Sequence, residues 1–205
     1  MITLTMTLVA TVLVMVLALV FGVWMARDRR FDLGIRPLLD AGQTIPPFVY
    51  LIPVLALFGP TRFTAIVAGI VYAAPAAIKL VADGVKAVSP TTLEAARSTG
   101  STTWQEITKV QLPMARGSLV LATNQGLLYV LAMVVIGGLV GGGALGYDVV
   151  LGISRSEEWG RGALAGLSIV VLGIMLDRIT RAAARDAPTT HDPAKQQWWR
   201  PAFMR

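Results

Sequence analysis

The chain has 205 residues, of which 55% are hydrophobic and only 15% charged, whereas soluble proteins carry about 25% charged residues. That balance excludes an ordinary soluble domain and a disordered chain. The lack of cysteine removes disulfides, zinc–thiolate sites, iron–sulfur ligation and thiol nucleophiles, and one histidine, His191 in a polar tail, leaves little imidazole chemistry. The net charge of +6 fits either a nucleic-acid binder or a membrane protein with basic cytoplasmic loops, so the positions of the charges decide.

Met1–Ala26 carries no charge. Such a run, at 1.5 Å per residue, is about 39 Å long and crosses a hydrocarbon core of about 30 Å with some tilt. A signal peptide needs its basic residues in front; here Arg27, Arg29 and Arg30 follow. Ala41–Gly59 is a second uncharged run, with Pro46, Pro47 and Pro53, which kinked membrane helices tolerate. Phe63–Leu80 is a third apolar segment, with Pro75 inside and Lys79 near one end, where its amine can snorkel to the interface. Asp83–Arg116 is polar and mixed in charge. Gly117–Val140 is a fourth span containing Asn124 and Gln125, which serve either an interhelical hydrogen bond or a translocation path. Gly141–Arg161 reads as a glycine-rich polar connection. Gly162–Leu176 is a short fifth span that can begin nearer Trp159, with Asp177 and Arg178 as boundary anchors. Residues 1–181 thus form one membrane domain, all α-helical with about five spans, and 182–205 a basic tail.

Lysine and arginine number four in segment 27–40, five in 79–116 and six in 178–205, while the alternate connections hold only Arg62, Arg155 and Arg161. The positive-inside rule then places the N-terminus outside and the C-terminus in the cytoplasm. The basic charge is topological, and no nucleic-acid partner is expected.

The sequence has no G-x-x-x-x-G-K-[ST], H-E-x-x-H or G-x-S-x-G, so no P-loop, zinc protease or hydrolase chemistry is expected of it, and no metal site. Gly141, Gly143 and Gly146 match G-x-G-x-x-G, but a dinucleotide site needs a preceding strand, and a flexible turn is the better reading. Small residues four apart at Gly137/Gly141, Gly138/Gly142 and Gly162/Gly166 allow close helix packing.

The polar loop carries the sharpest pattern. Ser89 is a candidate N-cap before Pro90, Thr91–Thr99 reads as a helix with Leu93, Ala96 and Gly100 on one face, and Gly100 suits its left-handed end. Thr103 and Glu106 stand at capping-box spacing for a second helix that should end before Pro113. The expected result is a helix–Gly–helix hairpin whose small residues Ala95, Ala96 and Gly100 let another protein approach.

Glu94-Ala95-Ala96, Gly100, then Val110-Gln111-Leu112-Pro113 closely resembles the EAA loop of inner-membrane permease subunits of binding-protein-dependent ABC importers, with Val110 in place of the family's isoleucine. The stretches Arg36–Asp40, Gln43-Thr44, Phe48–Pro53, Lys109–Pro113, Asn124-Gln125 and Leu176–Arg178 resemble the glycine betaine/proline/choline branch. The family's outer lead-in before the first span is missing, which leaves a truncated or misassigned start open.

The resemblance implies a MetI-like core and a transport subunit rather than an enzyme, with no cofactor on this chain and ATP/Mg on a partner. The implied partners are a cytoplasmic ABC ATPase dimer, a second permease (identical or homologous) and an extracytoplasmic substrate-binding protein, in the cell inner membrane. Glu94 would pair with a basic partner or orient the loop, Ala95, Ala96 and Gly100 would permit close packing, and Val110, Leu112 and Pro113 would complete the loop and set its exit. The hairpin would move spans three and four. Phe48, Tyr50, Tyr72, Asn124, Gln125 and Tyr129 are the candidate path residues. Alternatives are a permease for another small polar solute such as an amino acid, or a structural or assembly membrane protein without an ATPase.

Overall fold

The computed structural model describes residues 1–185; the expected tail and His191 lie outside them for residues 186–205. Ten α-helices, joined by short π and 3-10 turns, make up the described residues, and no strand occurs among them. Helix α1 is Ile2–Arg27. In hydrocarbon every backbone polar group must be satisfied within the helix, and the polar side chains obey the same rule: Thr7 and Thr11 donate to the carbonyls of Thr3 and Thr7 at 2.8 and 2.7 Å. One stripe of α1, including Ala10, Val14, Ala18, Gly22 and Met25, is buried.

Asp28 ends α1 in an extended conformation and caps α2 (Arg29–Thr44), its carboxylate accepting from the Arg30 and Phe31 amides. The connection expected after the first span is thus itself a helix. It climbs antiparallel along α4 (Arg62–Lys86) through ion pairs one turn apart: Asp32 with Lys86 at 2.6 Å, Arg36 with Asp83 at 2.7 Å, and Asp40 with Lys79. Ile45, extended because Pro46 follows, breaks the chain before α3 (Pro47–Phe58). The second expected span, Ala41–Gly59, is therefore not one helix. It is the upper part of a pair bent by 98°.

Among the described residues four helices are long and apolar enough to cross a membrane, α1, α4, α8 (Arg116–Gly137, running on to Gly142) and α10 (Trp159–Arg185), and counting the bent pair as one broken span gives a fifth. Central α4 packs between α1 and α8 at glycines. Gly22 lies against Val81, Gly84 against Ser118, and Gly137 against Ala65. Of the small-residue pairs expected from spacing, Gly137 and Gly162 do meet another helix, but Gly166 meets nothing within 4 Å.

The glycine-rich segment is more structured than a polar connection. Gly141 and Gly143 take φ of 98° and 70° and turn the chain back into α9 (Ala144–Ser154), an apolar helix. At Gly146 a Cβ would sit 2.1 Å from the Val135 carbonyl, and Gly152 and Gly162 press α9 onto α10. The last span begins at Trp159, as the looser boundary allowed, and its helix runs on to Arg185.

Candidate functional site

Two regions gather the polar groups. The first is the hairpin between α4 and α8. Helix α5 (Pro90–Ser98) has no buried residue. Ser89 opens it through its carbonyl, which accepts from the Thr92 and Leu93 amides, while its hydroxyl pairs with Thr91 rather than capping. Gly100, at φ 79°, closes it with its amide on the Arg97 carbonyl, while Ser101 donates to Ala96. Glu94, Ala95 and Gly100 are exposed and Ala96 half-buried.

The second capping box uses Thr102 and Gln105, not Thr103 and Glu106. This one-residue shift frees Glu106 for another role. After α6 (Thr103–Gln105) the chain makes a π-helical turn, Glu106–Gln111, and continues as α7 (Leu112–Met114). Pro113 therefore sits inside a helical run, and the change of direction comes at Ala115. Val110, Leu112 and Pro113 are half-buried, with Leu112 packed on the main core.

Glu106 is 2% exposed and Gln111 5%. Arg97 donates to both Glu106 oxygens at 3.1 Å, Arg27 at the end of α1 donates to Glu106 Oε1 at 3.4 Å, and the same Arg27 nitrogen donates to Gln111 Oε1 at 2.9 Å. An uncompensated buried carboxylate is costly; here two guanidiniums hold it. The Arg97 hydrogen bonds, helped by Arg27, hold the Glu106 pKa below its ordinary 4.5 against the opposing effect of burial. A depressed carboxylate stabilises at and above its unfolded value and loses that contribution as pH falls through the folded one. The hub, which faces Arg27 and Arg97, should therefore be unchanged from pH 7 to 5 and open only below the usual glutamate range. A spin label on a cysteine at Ser98 should gain mobility only there; mobility rising already near pH 6 would contradict the assignment.

The second region is a cavity of about 380 Å³ between α2, α4 and α8, lined by Gln43, Ala76, Lys79, Leu80, Asp83, Leu121, Gln125 and Tyr129. Tyr129 continues into a chain of rings, with centroids 5.4 Å to Tyr72 and 5.7 Å from there to Tyr50, whose hydroxyl donates to the Gly42 carbonyl at 2.5 Å. Four of the six candidate path residues are thus neighbours. Phe48 is exposed and outside the ring chain, and Asn124 is 3% exposed. The Asn124 amide donates to Asp177 at 2.9 Å and accepts from Thr180 at 2.5 Å. Those bonds hold α8 to α10, the interhelical alternative, and Asp177 contributes to that seam.

Sequence reasoning missed Arg27, Arg97 and the role of Glu106 in the hub. It also passed over Trp104, 72% exposed on α6. A lone tryptophan in a polar loop was the available signal for the last. The ion-pair ladder that brings Lys79 and Asp83 to the cavity wall depends on α2, which the segment's charge concealed.

Residues 15–187 match the family described as binding-protein-dependent transport system inner membrane component. The chain belongs to that family. It is therefore a multi-pass inner-membrane protein. It is 39% identical over 185 residues to the glycine betaine/carnitine transport permease protein GbuB of Listeria monocytogenes serotype 1/2a (strain 10403S), covering 90% of this chain and 65% of that one. To the glycine betaine/proline betaine transport system permease protein ProW of Escherichia coli (strain K12) it is 42% identical over 187 residues, 91% of this chain and 52% of that one. The chain spans between half and two thirds of these relatives. Among solved structures, an inward-facing MetNI methionine ABC transporter superposes with a TM-score of 0.81 at 23% identity, covering 92% of this chain and 94% of that one. That likeness establishes the MetI-like fold of this family member.

Proposed function

We propose that this chain is the membrane-spanning permease subunit of an importer for a quaternary amine or related osmoprotectant (glycine betaine, choline or proline). Two cytoplasmic ATPase subunits dock on its hairpin, a second permease subunit completes the path, and an extracytoplasmic binding protein delivers the solute. ATP and magnesium act on the ATPase, and this chain contributes no catalytic group. The basic end, with Arg27, Lys86 and Arg97 around the hairpin, is the cytoplasmic one.

The observation that carries this reading is the exposed α5 with its Glu94-Ala95-Ala96 and Gly100, standing free at the end of a MetI-like bundle. The cavity supports the substrate class. A zwitterion with a quaternary ammonium needs an aromatic face for its cation and a fixed positive charge for its carboxylate. Tyr129, backed by Tyr72, offers the first, and Lys79, which the solute would share with Asp40, the second, while Gln43 and Gln125 supply neutral hydrogen bonds. Phe48 and Asn124 are left out of this path.

Proteoliposomes holding the permease with its ATPase and binding protein test the proposal. Glycine betaine should accumulate only with ATP inside, and Tyr129→Ala should cut uptake at least tenfold without loss of subunit assembly. A permease that never co-purifies with an ATPase, or uptake indifferent to ATP, would sink the reading in favour of a structural membrane protein.

A further inference from the structure

The hairpin is joined to the bundle covalently, through α4 and α8, and by Leu112 packed on the main core. A further tie is Glu106. No residue of α5 is buried, and the only side-chain hydrogen bonds described that leave α5 for a later element are the two from Arg97 to Glu106. The same carboxylate also accepts from Arg27, the last residue of α1, which in turn holds Gln111. Helix α1 is an unbroken rod of 26 residues. It lies against α4 where Gly22 meets Val81. At its far end the Thr3 hydroxyl accepts from the Leu145 amide at 3.2 Å, at the start of α9 just past the glycine turn.

We infer that Glu106 is a positioning residue that ties α5 to α1, so that α1 acts as a strut carrying movement of the hairpin to the glycine turn on the opposite face. This rests on the permease reading and adds to it a connection that the chain path does not provide, since α1 is separated from the hairpin by more than sixty residues of sequence. The physical case is the form of the joint. Arg97 grips the carboxylate in a two-point geometry that fixes orientation as well as distance. Glu106 and Gln111 are five apart, which on a 3.6-residue helix would separate them by about 140°; the π turn brings both to one guanidinium. A π turn costs regular helix geometry and tends to sit where a side chain has a particular place to reach. Arg27 is the side chain being reached.

Arg27→Gln is the informative variant, because it cuts the link to α1 and leaves the Arg97–Glu106 pair whole. In the reconstituted transporter it should assemble normally yet hydrolyse at least fivefold more ATP per solute imported. Glu106→Gln, which also loosens the grip of Arg97, should do at least the same. The double variant should be no worse than Glu106→Gln alone, since the Arg27 link runs through Glu106. Arg27→Lys, which keeps the charge, should recover part of the ratio. A merely structural role would lower the amount of assembled protein without changing this ratio. An unchanged ratio in Arg27→Gln, with Arg97→Gln defective, would overturn the inference: the hub would then shape the hairpin only.

A second measurement uses the full permease chain alone. The sequence has no cysteine, so spin labels go only to cysteines introduced at Ser98 on α5 and Val20 on α1. Their distance should be narrowly distributed in the parent and broad in Arg27→Gln. A narrow distribution in both would overturn the strut whatever uptake shows. Failure of ATP-dependent uptake in the unsubstituted protein, with the label result as expected, would count against the permease reading and leave the joint standing.

Discussion

Gly84→Leu should open the seam between α4 and α8 and lower stability by about 3 kcal/mol, the upper part of the usual range for overpacking. A Cβ at Gly84 would lie 2.2 Å from the Ser118 Cβ and 2.6 Å from its hydroxyl. These two helices form the centre of the bundle, and neither has room to retreat: on its other side α4 is met by α1, where Gly22 lies against Val81. In lipid the helices gain little from hiding apolar surface from water, so close packing is what associates them, and losing it is correspondingly serious. The expected fall in unfolding midpoint in detergent is roughly 6–12 °C. Ser118→Gly in the same chain should restore part of it, because it removes the atoms that the new side chain meets. A midpoint within a degree of the parent would show that α8 does not press on Gly84.

Gly100→Trp should leave the protein folded and abolish ATP-driven uptake, a loss of at least a hundredfold. No atom lies within 4 Å of a Cβ built at Gly100, so the indole meets no obstacle inside the chain. The residue does adopt φ 79°, where a side chain costs about 1–2 kcal/mol. That strain has to be separated from occlusion of the docking face. Asparagine accepts the left-handed region far better than tryptophan and adds little bulk, so Gly100→Asn should retain most uptake. Equal loss in both variants would place the defect in the turn. Full uptake by Gly100→Trp would show that no partner approaches α5 at this point.

Much of the bundle was legible because lipid imposes a coarse and additive rule. Uncharged runs long enough to cross had to be helices, so α1, α4 and α8 fell where composition put them. The hairpin was legible for a local reason: Pro90 starts a helix and Gly100 ends one through their own backbone preferences. The errors also have local causes. The charge between the first two apolar runs concealed α2, because Asp32, Arg36 and Asp40 look like loop residues until Lys86, Asp83 and Lys79 are set beside them. Among glycines and polar residues, α9 was hidden by the very residues that let it lie close to α8 and α10.

The cavity followed the same division. Tyr50, Tyr72, Gln125 and Tyr129 could be named as polar or aromatic groups in apolar runs, but spacing along separate helices cannot say which of them meet. Asn124 and Gln125 are adjacent in sequence and differ wholly in role, one held between α8 and α10, the other facing the cavity. The 100° turn per residue of a helix sends neighbours to different faces.

The sequence by itself determined the class of molecule: most of its spans, its basic end and its hairpin. Those properties sum over residues and need no partner to be assigned. Only the tertiary structure decided that Glu106 is buried between Arg27 and Arg97, and that a π turn rather than a regular helix presents it. A buried charge is tolerable only where distant groups converge on it, and the convergence of α1 with a loop far along the chain is a property of the folded bundle alone.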